Sequence, residues 1–546
     1  MEHQKTSSSP PTKVKVPNDI GFKRHIGKNG LLFTSVGTII GSGWLFAAFN
    51  AARLAGPAAI ISWVLAAIMI LVIAIVYSEL SVIFPVSGGV IRFPQYSFGS
   101  TVSFTGGWLT YISAVTAAPT EVLATLQYSS NYLPWLVKGG PGGSSLSSIG
   151  LIIAIGLMAL FSLVNVLGVK LFARINNVLV WWKLCALVML VVILILSSFN
   201  LQNFYSPRFG GFAPSGFSSV LEALPAGGIV FSFLGFRQGI EFAAETNNPR
   251  RNVPFAVIGS VVLCLILYIG LQVAFIGATP SHFLSSGWPK LSFEGSVGPL
   301  ASLVTILGIG WLAIIVYIDA IISPADTGLI YASVTARLSY SQARAGNAPQ
   351  ILSKLNKKGV PWISVLLMFI IGCIAFLPFP SWKEIIGFTT SAMILAFGIG
   401  PLVFAALRRQ LPDQPRKFRA PGSDVLGYAA FLSSNLIVYW TGWHTNSRLF
   451  ISILIGFILF GIYNFIARKN PSTPPLHLKA ASWIPIWLGG LAIISFFGPY
   501  DGGLDLFKTG VGELIVAVLS GFVYWMSLAL RLSTAETIRN VERTRE

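Results

Sequence analysis

Lys183 and Arg237 stand deep inside long apolar runs, NNVLVWWKLCALV and LPAGGIVFSFLGFRQ, where a charge has no obvious reason to be. A charge at bilayer depth is costly unless it is paired or faces an aqueous cavity, so such residues are functional candidates by default. Lys183 could load and release a proton. The alternative is snorkelling to an interface, although the residue lies nine positions past Arg174, well beyond Asn176. Arg237 could hold a carboxylate through paired hydrogen bonds. It could equally be neutralised by Glu241, four residues on, or by Glu121, Asp319 or Asp326 from other apolar runs. Those buried carboxylates are themselves candidate proton carriers. Ser323 and Thr327, one helical turn apart, could add hydroxyls beside Lys183 or merely bond their own helix backbone.

Two glycine-rich interruptions would place these groups. In GTIIGSGWLF the residues Ile40, Gly41, Ser42 and Gly43 fall in mid-run, where an unwound backbone leaves amides free to hold a carboxylate. The second run contains Pro225, Gly227, Gly228 and Gly235, with carbonyls near Phe231 and Ser232 that could receive an ammonium. Phe233 and Phe236 flank that break, either capping a site or packing in the core. Close helix packing at small residues is the competing account of the glycines.

The elements that carry these residues follow from composition. Of 546 residues, 54% are hydrophobic and 10% charged, a balance typical of many membrane-spanning helices. Fourteen stretches are long enough to cross hydrocarbon: 31–56, 58–84, 103–133, 148–168, 175–198, 220–245, 254–278, 299–336, 361–378, 383–407, 425–442, 449–467, 482–498 and 511–530. Their lack of period-2 alternation predicts helices, not a barrel. The chain is expected to be an all-α integral membrane protein of about fourteen transmembrane helices. Runs 1 and 6, the broken ones, open successive five-helix blocks, as in a 5+5 inverted-repeat core. The expected organisation is a tail over 1–30, a ten-helix core over 31–407, four further helices over 408–532 and a tail over 533–546.

The net charge of +18 suggests a nucleic-acid partner only until the 37 Lys and Arg residues are placed. With both termini assigned to the cytoplasm, 28 fall on that side, 7 on the other, and two, Lys183 and Arg237, inside runs. This asymmetry is the signature of membrane topology and argues against nucleic acid. The first 30 residues carry no cleavable-leader pattern, so the first run is expected to direct insertion. Cys185, Cys264 and Cys373 all lie in apolar runs and are expected to be buried. The five histidines are scattered, without metal-ligand spacing, so neither a metal nor another bound cofactor is expected.

Five separated motifs resemble the amino acid–polyamine–organocation superfamily of transporters. They are GTIIGSG; YSELSVIFPVSGG from Tyr77 to Gly89; ETNNPRRNVPFAV; ARLSYSQARAGNAPQIL; and LRRQLPDQPRKFRAPG from Leu407 to Gly422. The length and details such as GFRQ look most like the bacterial aspartate:proton symporter branch. The resemblance implies a substrate loop at Gly41–Gly43, aromatic gating around the second break, and a Lys183 standing where a coupling sodium sits in relatives. Ser323 and Thr327 would correspond to a vestigial cation site. Arg237 departs from the pattern, in which an acidic residue often follows Gly-Phe. The implied activity is secondary active amino acid transport in the cell membrane, proton-coupled and with a preference for acidic substrates. Exchange and transport of neutral amino acids are its alternatives. A non-transporting nutrient receptor is a rival from another class, disfavoured by tails of about 30 and 15 residues. A membrane enzyme would need converging catalytic groups, which the sequence does not offer.

Overall fold

The structure, a computed structural model, describes residues 14, 26–86, 88–139, 145–167, 169–293, 298–467 and 474–543, with side chains except at 169–177. The side chains of Lys170, Arg174 and Asn176 lie outside the described residues, as do Arg468, Lys469, Arg545 and the basic residues before position 26.

Helices make up most of the described chain, and all of its membrane spans, as they must where lipid offers no hydrogen bonds to a bare backbone. The first span is α1 (Lys28–Ile39) and α2 (Gly43–Ala55), followed by α3 (Ala59–Ile83), a short α4 (Gly89–Phe98) and the long α5 (Ser100–Ser129). A two-residue hairpin, β1 (Val137–Lys138) with β2 (Ser145–Leu146), leads to α6 (Ser148–Leu167) and α7 (Val169–Ser198). Next come α8 (Gly216–Ala226), a 3₁₀ segment Phe231–Arg237 and α9 (Gln238–Glu241), then α10 (Pro249–Ala278). After them run α11 (Pro299–Ile306), α12 (Gly310–Arg344), α13 (Trp362–Ile374) and α14 (Trp382–Gln410). The chain closes with α15 (Ser423–Thr441), α16 (Trp443–Ala467), α17 (Leu478–Ala481), α18 (Trp483–Phe497), α19 (Val511–Ala529) and α20 (Thr534–Arg543).

Each of the fourteen apolar stretches falls on helix. Among the described residues, nine helices are long and apolar enough to cross a membrane alone, and the pair at Gly216–Ala226 and Phe231–Ala244, bent by 47°, makes a tenth. The remaining four stretches fall short for physical reasons. The first is cut at its break, and 361–378 holds only the 13-residue α13. The other two, α5 and α15, are diluted by hydroxyl and amide side chains. Some of those of α5 bond their own helix, Thr105 to the Thr101 carbonyl, Thr116 to that of Ile112 and Thr120 to that of Thr116, while Ser113 reaches the Thr389 carbonyl of α14. A polar span of this kind survives because protein, not lipid, surrounds it.

α14 is the axis of the bundle, its most apolar window wholly buried, whereas only 22% of the corresponding window is buried in α6 and in α16. α5 and α12 pack on one another and α5 on α14, while α10 bridges α1, α3 and α7. α15 packs on α14, α3 and α8, and α16 is tied to α5 by Trp108, whose indole donates to the Ser452 carbonyl at 3.0 Å. The cysteines depart from expectation. Cys264 is buried, Cys373 half-buried and Cys185 exposed on the outer face of α7. Lipid-facing positions are as apolar as core positions, so hydropathy could not separate them.

Candidate functional site

The first break exposes backbone groups that named side chains then claim. In an unbroken helix the Gly41 amide would bond the Gly37 carbonyl; instead it turns to Ile39 at 3.0 Å. The Gly37 carbonyl so released accepts from Lys183 Nζ at 3.0 Å. The Ser42 amide, which would have bonded Thr38, donates to Glu121 Oε2 at 2.9 Å. α2 thus starts with a carboxylate against its positive end. Ser42 Oγ accepts from the Trp382 indole at 2.8 Å.

Lys183 is fully buried and is neutralised by Asp326, Nζ to Oδ2 2.7 Å, with Thr327 Oγ1 at 3.3 Å. A Cβ at Gly41 would lie 2.8 Å from Glu121 Oε1 and 3.0 Å from the Thr327 methyl, so glycine is what lets α5 and α12 converge there. Lys183, Glu121, Asp326 and Thr327 therefore form one cluster around the first break. Ser323 and Asp319 are not hydrogen-bonded into it: the Ser323 hydroxyl donates to Asp319 Oδ2 at 2.7 Å.

The second break begins at Pro225 and turns at Gly228, whose φ of +82° suits glycine. The Ser232 amide and hydroxyl both return to the Gly228 carbonyl, at 3.1 and 2.8 Å. The two breaks touch directly. A Cβ on Gly43 would overlap the Ser232 side chain, and one on Gly235 would overlap the Thr38–Ile39 backbone. Tyr268 of α10 pins the junction, its hydroxyl donating to the carbonyls of Ile39 at 3.1 Å and Ser232 at 3.4 Å. Ile40 is fully buried in this same contact region.

The three phenylalanines of the second break have different surroundings. Phe231 meets Trp382 edge-on at 6.1 Å, and Trp382 stacks on Phe46 at 4.4 Å, an aromatic lid over Ser42. Phe233 is fully buried between Trp63 and Tyr268, and Phe236 packs on Phe397 at 5.0 Å. Arg237 is 1% exposed. Its Nε bonds Glu241 Oε1 at 3.2 Å and its Nη1 lies 3.2 Å from the Met393 sulfur, while Nη2 has no partner among the described residues. The intrahelical partner is thus present, yet it leaves part of the guanidinium unused. Glu121 and Asp326 serve Ser42 and Lys183 instead.

The region is shut at both ends. Toward the end where Lys28 and Arg344 lie, Ile26 bonds Glu245, Thr246 and Asn247, and Arg337 pairs with Glu245 at 3.5 Å. At the other end stand Trp382, Phe46 and Phe231, with Tyr128 donating to the Leu45 carbonyl at 2.8 Å. Trp382 and Tyr268 were not among the residues singled out from sequence. Each is an aromatic in an aromatic-rich chain, and what sets it apart is a hydrogen bond to a break hundreds of residues away.

Two facing broken helices with buried charges at the breaks define a multi-pass transport protein of the permease type. Residues 29–498 match the amino acid permease family, and the chain belongs to it. It is 35% identical over 505 residues to an aspartate-proton symporter of Bacillus subtilis, covering 92% of this chain and 96% of that one. It is 34% identical over 515 residues to the glutamate/serine transporter AimA of the same organism, covering 92% and 93%. A branched-chain amino acid permease, BcaP, of that organism is 28% identical over 81% of this chain and 93% of its own.

Proposed function

We propose that this permease carries an amino acid together with a proton and prefers acidic substrates. The observation that carries the reading is Glu121 on the Ser42 amide: the chain's own carboxylate sits on the group best suited to a substrate's α-carboxylate. A charged Glu121 competes for that amide, whereas a protonated one is a poor acceptor and yields it. Substrate and proton then enter together. Lys183, held by Asp326, Thr327 and the Gly37 carbonyl, couples the same break to α7 and α12. The substrate ammonium would meet carbonyls near Phe231 and Ser232. Its side-chain carboxylate would reach Arg237, whose buried Nη2 has no partner among the described residues.

Names of two relatives, an aspartate-proton symporter and a glutamate/serine transporter, agree with this cargo. Binding drives alternation only through different affinities for the two openings. The test is Glu121→Gln in proteoliposomes. Counterflow exchange of labelled aspartate should persist while accumulation driven by an inward proton gradient is lost. Accumulation at wild-type level in that variant would exclude Glu121 from proton coupling.

A further inference from the structure

The sequence LRRQLPDQPRKFRAPG, which the transport site does not use, folds into a basic cup between the end of α14 and the start of α15. A cavity of about 450 Å³ is lined by Arg408, Arg409, Arg416 and Arg419, with Gln414, Ser423 and Asp424. Glu79 is fully buried beneath it. Its carboxylate is gripped by Arg408, with Nε to Oε1 3.0 Å and Nη2 to Oε2 2.6 Å, by Arg416 at 3.3 Å, and by the Ala420 amide at 2.7 Å. Arg416 also ties the loop together through the carbonyls of Leu407, Leu411, Pro412 and Gln414. Arg409 forms a fork with Asp424, 2.9 Å to each oxygen. Arg419 is exposed and has no partner among the described residues.

Four guanidiniums against Glu79 and Asp424 leave two positive charges in excess. Asp413 and Lys417 are exposed on the same loop but do not line the cavity. Burial, reinforced by the neighbouring Arg408 and Arg419, holds Arg416 below the ordinary arginine value despite Glu79. The cup therefore has an unmet demand for an anion. Its position says which kind. It lies where α14, whose apolar middle is wholly buried, ends in Arg408 and Arg409. Its rim continues into lipid-facing side chains: Val425 on α15 is 76% exposed, and Phe522 and Trp525 are exposed on α19, which packs on α15.

We infer that this cup is a binding site for the phosphodiester headgroup of an anionic phospholipid, with the acyl chains lying along α15 and α19. Guanidiniums match phosphate oxygens in paired geometry, and basic pockets between spans suit such headgroups. Arg409 and Arg419 touch the phosphate; Arg408 and Arg416 hold the loop and supply field.

Native mass spectrometry of the detergent-purified protein tests this with phosphatidylglycerol and phosphatidylcholine as probes. Phosphatidylglycerol should be retained and phosphatidylcholine lost. Arg419→Gln should weaken phosphatidylglycerol retention roughly fivefold, and Arg409→Gln/Arg419→Gln on the order of 25-fold, at unchanged thermal stability. Lys417→Gln, which removes the same charge outside the cup, should leave retention unchanged. Equal retention of both lipids, or an equal loss in Lys417→Gln, would overturn the site. Displacement of phosphatidylglycerol by millimolar inorganic phosphate would overturn the lipid assignment in favour of a soluble phosphate.

Discussion

Lys183 and Asp326 stand 2.7 Å apart and are fully or almost fully buried, so removing one leaves the other charged in a dry core. Lys183→Ala should cost about 3–5 kcal/mol of stability by this route. Lys183→Ala/Asp326→Asn should recover most of it, yet still lack gradient-driven accumulation. Thermal unfolding in detergent and vesicle uptake read the two effects separately, and full uptake by the double variant would free Lys183 of any coupling role. For Arg237, replacement by Gln should weaken aspartate by about 10- to 100-fold relative to alanine or serine, the size expected for a lost charged hydrogen bond. Competition against one labelled substrate measures it; uniform weakening would leave Arg237 only its pairing with Glu241. Both cations were legible in the sequence because a charge in an apolar run is conspicuous. Glu121 on the Ser42 amide was not, because a contact across 79 residues depends on where α5 crosses α2. Likewise, nothing in local spacing says that Ser323 turns to Asp319 while Thr327 turns to Lys183.

Broken helices are the elements on which the account rests, and their glycines behave differently from one another. At Gly43 an added methyl meets the Ser232 side chain; at Gly235 it meets the Thr38–Ile39 backbone. Overpacking of this sort typically costs about 1–3 kcal/mol. Gly43→Ala should therefore be largely rescued by Ser232→Gly, whereas Gly235→Ala has no side chain to trim and should remain destabilised. Melting temperatures of the three variants decide it, and equal behaviour of Gly43→Ala with and without Ser232→Gly would refute the contact. The breaks and the helical stretches were readable because glycine runs and hydropathy are local signals. Which face of a helix meets lipid was not, as Cys185 shows. Nor was the burial of α5, whose hydroxyls lowered its hydropathy although it lies at the centre.

At the scale of the molecule, the two breaks are closed from both ends, with Ile26, Glu245 and Arg337 on one side and Trp382, Phe46 and Phe231 on the other. A transporter must open one closure at a time, and on the proposed reading the charged groups at the breaks let substrate and proton bias that choice. The central claim is that proton entry and acidic amino acid entry are one event at Ser42 and Glu121. The direct measurement is uptake of labelled aspartate by proteoliposomes with and without an inward proton gradient, internal amino acid absent. Accumulation above equilibrium that collapses with the gradient is the predicted result. Gradient-independent uptake that requires internal amino acid would contradict it and make the protein an exchanger.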